Sequence, residues 1–541
     1  MNSRAHNENQ AVGRAAGVVG KATLASRILG YIRDAVIAAT FGASAGADAF
    51  FVAFRIPNLL RRLFAEGSLS VAFVPALTGV LRRHGKSEAL VLARSALIFF
   101  SAALTLAAVA GILLAPLIVR VIAPGFSGNP WQFDLTVTLT RLVFPYLLLI
   151  GIVAIFMGIL NVFGHFAAPA LAPVMLNIGI IGSVWGIAPF LGTPELALAA
   201  GVLIGGVLQV GLQVPSLRKI GFTLRGAWSL RHPALSEVAR KMLPMAIGAA
   251  AYQINVVVCT LLATLLSTGS VSYLYYADRL VQFPLGIIAI AAATASLPSF
   301  SRLSAEGDTA GLKDTLAFTL MLVFFITLPA MVGLIVVRTP LVTLLFERGI
   351  FDREASLLTA RALLYYALGL WAFSGTRVVV NVFYAVGKVW TPVFISVSAI
   401  AANVILSLAL MPRMGHAGLA LATSLSSGLN LTLLVFVLQR HLGGLHGRRI
   451  ALSFFKALSM AVVMGFVVAT ALNYLEPFMA GSFLRLLTAV LGGVTAGAGI
   501  YFVLAKVLKC PELSALAGAI RPRGQQAHIG PAQDGQARNR R

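Results

Sequence analysis

"SRILGYIRDAVIAATFG", Ser26 to Gly42, places Arg27, Arg33 and Asp34 inside an apolar run long enough to span a bilayer. A charged side chain at the bilayer centre costs about 2.5–3.5 kcal/mol even on lenient insertion scales. The stretch therefore makes two demands. Its apolar residues require lipid, and its charges require water, a partner or an anionic ligand beside them.

The rest of the chain also reads as lipid-dissolved. Of 541 residues 58% are hydrophobic and 11% charged, and apolar runs of about 20 residues recur, the length that crosses a membrane as helix. Fourteen spans are expected, near 14–41, 47–81, 91–121, 135–162, 167–190, 195–216, 236–266, 270–301, 312–337, 356–385, 389–411, 415–439, 450–474 and 483–508. The fold class is all-α, a polytopic membrane protein. The polar opening MNSRAHNENQ lacks an apolar core followed by a cleavage site, so no cleavable signal peptide is expected.

A formal net charge of +24 would suggest nucleic acid in a soluble protein. Here most basic residues fall between spans, so no nucleic-acid partner is expected. Loops after even-numbered spans carry Arg82, Arg83, Lys86, Arg218, Lys219, Arg225, Arg231, Arg302, Lys313, Lys388, Arg440, Arg448 and Arg449, whereas 42–46 and 267–269 have no Lys or Arg. The positive-inside rule then places both termini in the cytoplasm. One stretch, Arg338 to Arg353, is basic on the side where the rule expects few cations. The tail from Pro511 is rich in Gly, Gln and Arg and reads as disordered.

The chain repeats itself. Asn161-Val162-Phe163 recurs as Asn381-Val382-Phe383, a shift of 220 residues, and at the same shift Arg141 meets Arg361 and Tyr146 meets Tyr366. "FFVAFR", ending at Arg55, parallels "LYYADR", ending at Arg279, each followed by a proline, Pro75 and Pro298. Two six-helix lobes follow, 1–225 and 226–445, related by a pseudo-two-fold along the membrane normal. Helices thirteen and fourteen (446–508) and a tail (509–541) lie outside them. Transporters built this way bind substrate between halves near the midplane.

Six arginines, Arg27, Arg33, Arg55, Arg61, Arg62 and Arg279, fall within or at the ends of spans. Asp48, Arg55, Arg62 and Glu66 share one stripe of a helix; Arg27 and Asp34 share a face of the first span, with Arg33 about a third of a turn away. The bland reading pairs the arginines with Asp34, Asp48, Glu66 and Asp278, or lets Arg61 and Arg62 snorkel to the surface. Six cations nevertheless outnumber four carboxylates. Guanidinium binds phosphate through two parallel hydrogen bonds and stays charged at any working pH, so a phosphate-bearing substrate fits best.

Other chemistries find little support. "GVLRRHGKS" spaces Gly79 one residue too far from Gly85-Lys86-Ser87 for a phosphate-binding loop, and it reads as a basic loop. His441 and His446 lie off any helical metal spacing, and Cys259 and Cys510 suggest neither a disulfide framework nor a metal cluster. No hydrolase signature is present, and no enzyme activity, metal or cofactor is expected. The work must come from an ion gradient or the membrane potential, worth about 2.3 kcal/mol per charge per 100 mV.

"SRILGYIRDAVIAATFGASAGADAFFVAFRIPNLLRRLFAEGSLSVAFVPAL" and "GSVSYLYYADRLVQFPLG" resemble the first two helices and the eighth helix of the MurJ (MviN) lipid II flippases, and the likeness runs from about 14 to 508. That family belongs to the multidrug, oligosaccharidyl-lipid and polysaccharide exporter superfamily. The resemblance implies fourteen helices in two lobes that move the undecaprenyl-diphosphate-linked peptidoglycan precursor to the periplasmic leaflet by alternating access. It also implies a bacterial inner-membrane location. The family's essential cavity residues match Arg27, Arg33, Asp34, Asp48, Arg61, Glu66 and Arg279 here, with Arg62 beside Arg61 and Arg55 where some relatives have lysine.

On that basis Arg27, Arg33 and Arg279 would clasp a diphosphate, Asp34 and Asp278 would orient them, and Asp48 and Glu66 would close gates. Helices thirteen and fourteen would hold the lipid tail. A sodium site of some relatives has no matching carboxylate in helix seven, where Cys259 lies. Expected partners are lipid II, membrane lipids and cell-wall synthesis proteins, with the chain a monomer. The rivals are a multidrug/cation antiporter, another polyprenyl-linked saccharide flippase of the superfamily, and a non-transporting scaffold for cell-wall enzymes.

Overall fold

The computed structural model describes residues 2–61, 69–286, 290–479 and 482–520, and every regular element among them is helical. Lipid offers backbone amides no partner, so each segment must satisfy them internally, as a helix does. The first half runs α1 (Asn2–Phe41), α2 (Ala45–Arg61), α3 (Leu69–Leu113), α4 (Ala115–Ile122), α5 (Pro130–Val143), α6 (Tyr146–Val162), α7 (Ala167–Gly186) and α8 (Leu196–Lys219). The second runs α9 (Pro233–Thr264), α10 (Ser270–Pro284), α11 (Ile290–Ala305), α12 (Thr309–Phe346), α13 (Arg353–Ala367), α14 (Leu370–Ala385), α15 (Trp390–Met414) and α16 (His416–Leu442). Three more follow: α17 (Gly447–Met479), α18 (Phe483–Val507) and α19 (Pro511–Ile520).

Helix occupies each of the fourteen expected ranges, but composition alone supports fewer crossings. Among the described residues nine helices are long and apolar enough to span a membrane, or ten if the bent pair α13–α14 is one span. Arg27, Arg33 and Asp34 charge α1, and α2, α10 and α11 are described over only 17, 15 and 16 residues.

Two expectations are corrected. The basic loop after the second span is helical: α3 continues through Arg82, Arg83 and Glu88 and turns only at Gly85, whose φ of 83° suits a residue without a Cβ. The disordered tail does not begin at 509. Pro511 opens α19, and Ser453 Oγ in α17 donates to the buried Glu512 Oε1 at 2.6 Å, which pins that helix.

The repeat shows in the breaks. α5 and α6 part at Phe144–Pro145, and their counterparts α13 and α14 part at Leu368–Gly369 with a 41° bend. α2 and α10 both begin just after turns, and Pro75 and Pro298 sit inside α3 and α11. Helices pack mainly within their own half, α1 on α7, α3 on α6 and α7 on α8, then α10 on α13, α14 on α16 and α15 on α16. The halves meet through α2–α10, α1–α12 and α3–α9, while α17 lies against α12 and α18.

Small residues set the closest pairing. A Cβ on Gly179 of α7 would fall 2.5 Å from Gly205 Cα of α8, and one on Gly201 would fall 2.7 Å from Ile180 Cα. Gly201 and Gly205 form the small-xxx-small spacing that lets membrane helices approach backbone to backbone.

Candidate functional site

The charges of α1 meet α10 across the two halves. Asp34 is 1% exposed and Arg33 6%. Arg33 Nη2 and Nε donate to Asp34 Oδ1 at 2.6 and 3.0 Å. Arg279 of α10 approaches the other carboxylate oxygen, Nε to Asp34 Oδ2, at 3.2 Å. One carboxylate thus faces two guanidiniums.

Neutral groups complete the cluster. Tyr275 OH donates to Asp34 Oδ1 at 3.2 Å and accepts from Arg33 Nη2 and Arg279 Nη2 at 3.2 and 3.1 Å. Arg33 Nη1 donates to Asn177 Oδ1 of α7 at 3.2 Å, and Asn177 Nδ2 reaches back to the Ser26 carbonyl at 3.1 Å. Phe51 of α2 stacks on Tyr275 with ring centroids 3.9 Å apart. Charge-assisted bonds of this kind are about twice as strong as neutral ones and fix direction as well as distance.

The helical wheel sets Arg33 about a third of a turn from Arg27 and Asp34, yet its guanidinium meets the Asp34 carboxylate. Arg33 is long and flexible enough to fold back onto its chain neighbour, which helical-wheel angles do not register. The Arg279 side chain keeps 32% of its surface exposed, so it remains presented. Arg27 sets its guanidinium against Gly286, two residues past α10, where a Cβ would fall 2.5 Å from Nη2. Tyr31 OH donates to the Arg279 carbonyl at 3.2 Å and lies within electrostatic reach of Arg27, Arg279, Asp34 and Asp278.

Asp48 performs a different task. It is 1% exposed at the start of α2, and its carboxylate reaches into the other half: Oδ2 accepts from Gly269 N at 2.7 Å, and Oδ1 from Ser272 N at 2.8 Å and Ser272 Oγ at 2.6 Å. Gly269 is the N-cap of α10 with φ 90° and offers no side-chain cap of its own. The carboxylate therefore satisfies unpaired amide donors and the positive end of the helix dipole from across the interface. Nearby, Ile350 N donates to the Ala39 carbonyl at 3.0 Å, a second bond between halves at the same end of the bundle.

Arg55 and Asp278 each lie within electrostatic reach of Cys259 and Tyr366. Asp278 also accepts from Gln282 Nε2 one turn on. Arg61 Nε donates to Asn58 Oδ1 at 3.0 Å, at the opposite end of α2 from Asp48. Arg62 and Glu66 lie outside the described residues. Sequence reasoning missed Tyr275, Asn177 and a neutral cluster in the second half, where Asn403 Nδ2 donates to Asn255 Oδ1 at 2.6 Å and to Cys259 Sγ at 3.2 Å. The only sequence signal for Tyr275 is its place one turn before Arg279.

Comparison with known proteins gives a consistent answer. Residues 37–489 match the family model described as "Lipid II flippase MurJ". The lipid II flippase MurJ of Burkholderia cenocepacia is 37% identical over 433 residues, covering 79% of this chain and 84% of that protein. The probable lipid II flippase MurJ of Vibrio cholerae is 37% identical over 452 residues, covering 82% and 86%. A solved structure titled "Lipid II flippase MurJ, inward closed conformation" superposes with a TM-score of 0.74 at 27% identity, covering 91% of this chain and 99% of that one. An inward-facing multidrug transporter of the MATE family shares the fold, with a TM-score of 0.66 at 16% identity over 77% of this chain and 94% of that one. With buried arginines where two like halves meet, and a family match over most of its length, this chain belongs to the MurJ lipid II flippase family.

Proposed function

We propose that the chain carries lipid II across the bacterial inner membrane by alternating access, its central arginines holding the diphosphate while the polyprenyl tail stays in the bilayer. The observation that carries this reading is the sharing of Asp34 by Arg33 and Arg279, which leaves a buried guanidinium surplus beside Arg27. Arg33 is turned into the packing and positions Asp34. Arg27 and Arg279 are the groups that meet phosphate, and Asp34 trades its hold on Arg279 as the anion enters or leaves.

In this scheme residues 1–225 and 226–445 form the moving lobes. The Asp48–α10 and Ile350–Ala39 bonds close the outer end, and both termini lie in the cytoplasm. Arg55, Asp278 and Arg61 continue the polar path along α2 and α10. Residues 446–508 receive the tail. The chain acts as a monomer and performs no enzymatic chemistry. Expulsion of a doubly negative headgroup toward the positive side is favoured by about 2.3 kcal/mol per charge per 100 mV. Accessibility of labelled lipid II at the outer leaflet tests the reading. Arg279→Ala at normal protein level is expected to abolish export, and unchanged export would favour a scaffold.

A further inference from the structure

The basic stretch on the wrong side of the charge rule builds a cavity. About 850 Å³ opens where the ends of α12 and α17 meet the start of α18, with no residue of the Asp34 cluster in its lining, and Arg338, Arg348 and Arg353 line it. We propose that this cavity is a binding site for the phosphate of an anionic phospholipid, its acyl chains lying along α17 and α18. In the orientation given above the lipid belongs to the outer leaflet. The proposal rests on that orientation only for the choice of leaflet.

Two of the arginines, Arg338 and Arg348, are held by backbone carbonyls. Arg338 Nη1 donates to the Ile335 carbonyl at 2.5 Å within α12, and Arg348 Nη2, two residues past that helix, to its Leu344 carbonyl at 2.8 Å. Arg348 also lies over the Phe483 ring at 4.8 Å. Among the described residues only Arg353 of the three meets a carboxylate, Glu347, at 3.4 Å. Three guanidiniums thus share a cavity with two carboxylates, Glu347 and Glu476. A guanidinium has five donors, and one nitrogen of each is engaged here, which leaves enough to hold a phosphate bidentately.

Two features select a lipid over a soluble anion. The walls mix these arginines with Leu472 and Leu486, so the site is half apolar. Beyond it α17 and α18 turn large apolar side chains outward, with Tyr474 79% and Leu484 67% exposed, so the apolar lining continues into surface that tails can cover.

Native mass spectrometry of the full chain released from nanodiscs of equal phosphatidylglycerol and phosphatidylcholine tests the site. Wild type is expected to retain phosphatidylglycerol preferentially. Combining Arg338→Gln, Arg348→Gln and Arg353→Gln should cut that preference at least fivefold, and Glu476→Gln, which removes a competing carboxylate, should raise it. Equal retention by wild type and the triple variant, or loss of preference in Glu476→Gln, would overturn the proposal. So would displacement by free glycerophosphoglycerol at the lipid's own concentration, since that would mean a soluble-anion site. The readout involves no transport, so its failure leaves the flippase reading untouched.

Discussion

Asp34 joins groups from α1 and α10, and its removal strands the buried Arg33 guanidinium and releases the half-buried Arg279. Breaking a buried pair from one side costs about 3–5 kcal/mol. Asp34→Asn should therefore lower the thermal midpoint of the purified protein sharply, whereas Arg61→Gln, on the more open end of α2, should leave it nearly unchanged. Tyr275→Phe removes one hydroxyl with three polar partners and should cost about 1–3 kcal/mol, with the fold retained and lipid II export reduced. An export rate equal to wild type would show that the hydroxyl only fills space. The charged members of this cluster were legible in the sequence, because an arginine in an apolar span is expensive and has few explanations. Tyr275 and Asn177 were not, because a neutral polar residue in a membrane helix costs little and carries no signature of its partner.

At the scale of elements, the start of α10 depends on a carboxylate from α2. Gly269→Ala would place a methyl 2.7 Å from Tyr273 OH and 2.8 Å from the Ala43 carbonyl at a φ of 90°. It should loosen the Asp48 contact, so a cysteine placed near that end should react faster with an impermeant thiol reagent; an unchanged rate would mean that the contact does not hold the end shut. Within the first half, Gly179→Ala drives a methyl into Gly205, and overpacking of this kind costs about 1–3 kcal/mol. The measurement is again the thermal midpoint. The apolar runs gave the helices and their order. Their breaks were less legible: Gly85 turns a helix at a place that reads as a loop, and Pro511 starts one where composition reads as disorder.

At the scale of the molecule, a short internal repeat is the ground for proposing a division of the chain, and α5–α6 and α13–α14 break at corresponding places. What the sequence could not reach was the register between halves. That register is set by a few bonds, Asp48 to the start of α10 and Ile350 to Ala39, none of which has a local pattern. If the halves rock to release substrate, a short cross-link between cysteines at positions 39 and 350 should stop lipid II export, and its reduction should restore export. The most direct test of the whole account is lipid II affinity in nanodiscs, measured for wild type and for Arg27→Gln with Arg279→Gln. Charge-assisted bonds worth about 1.5–3 kcal/mol each predict at least tenfold weaker binding in the double variant. Equal affinity in the two proteins would contradict the claim that these arginines hold the diphosphate.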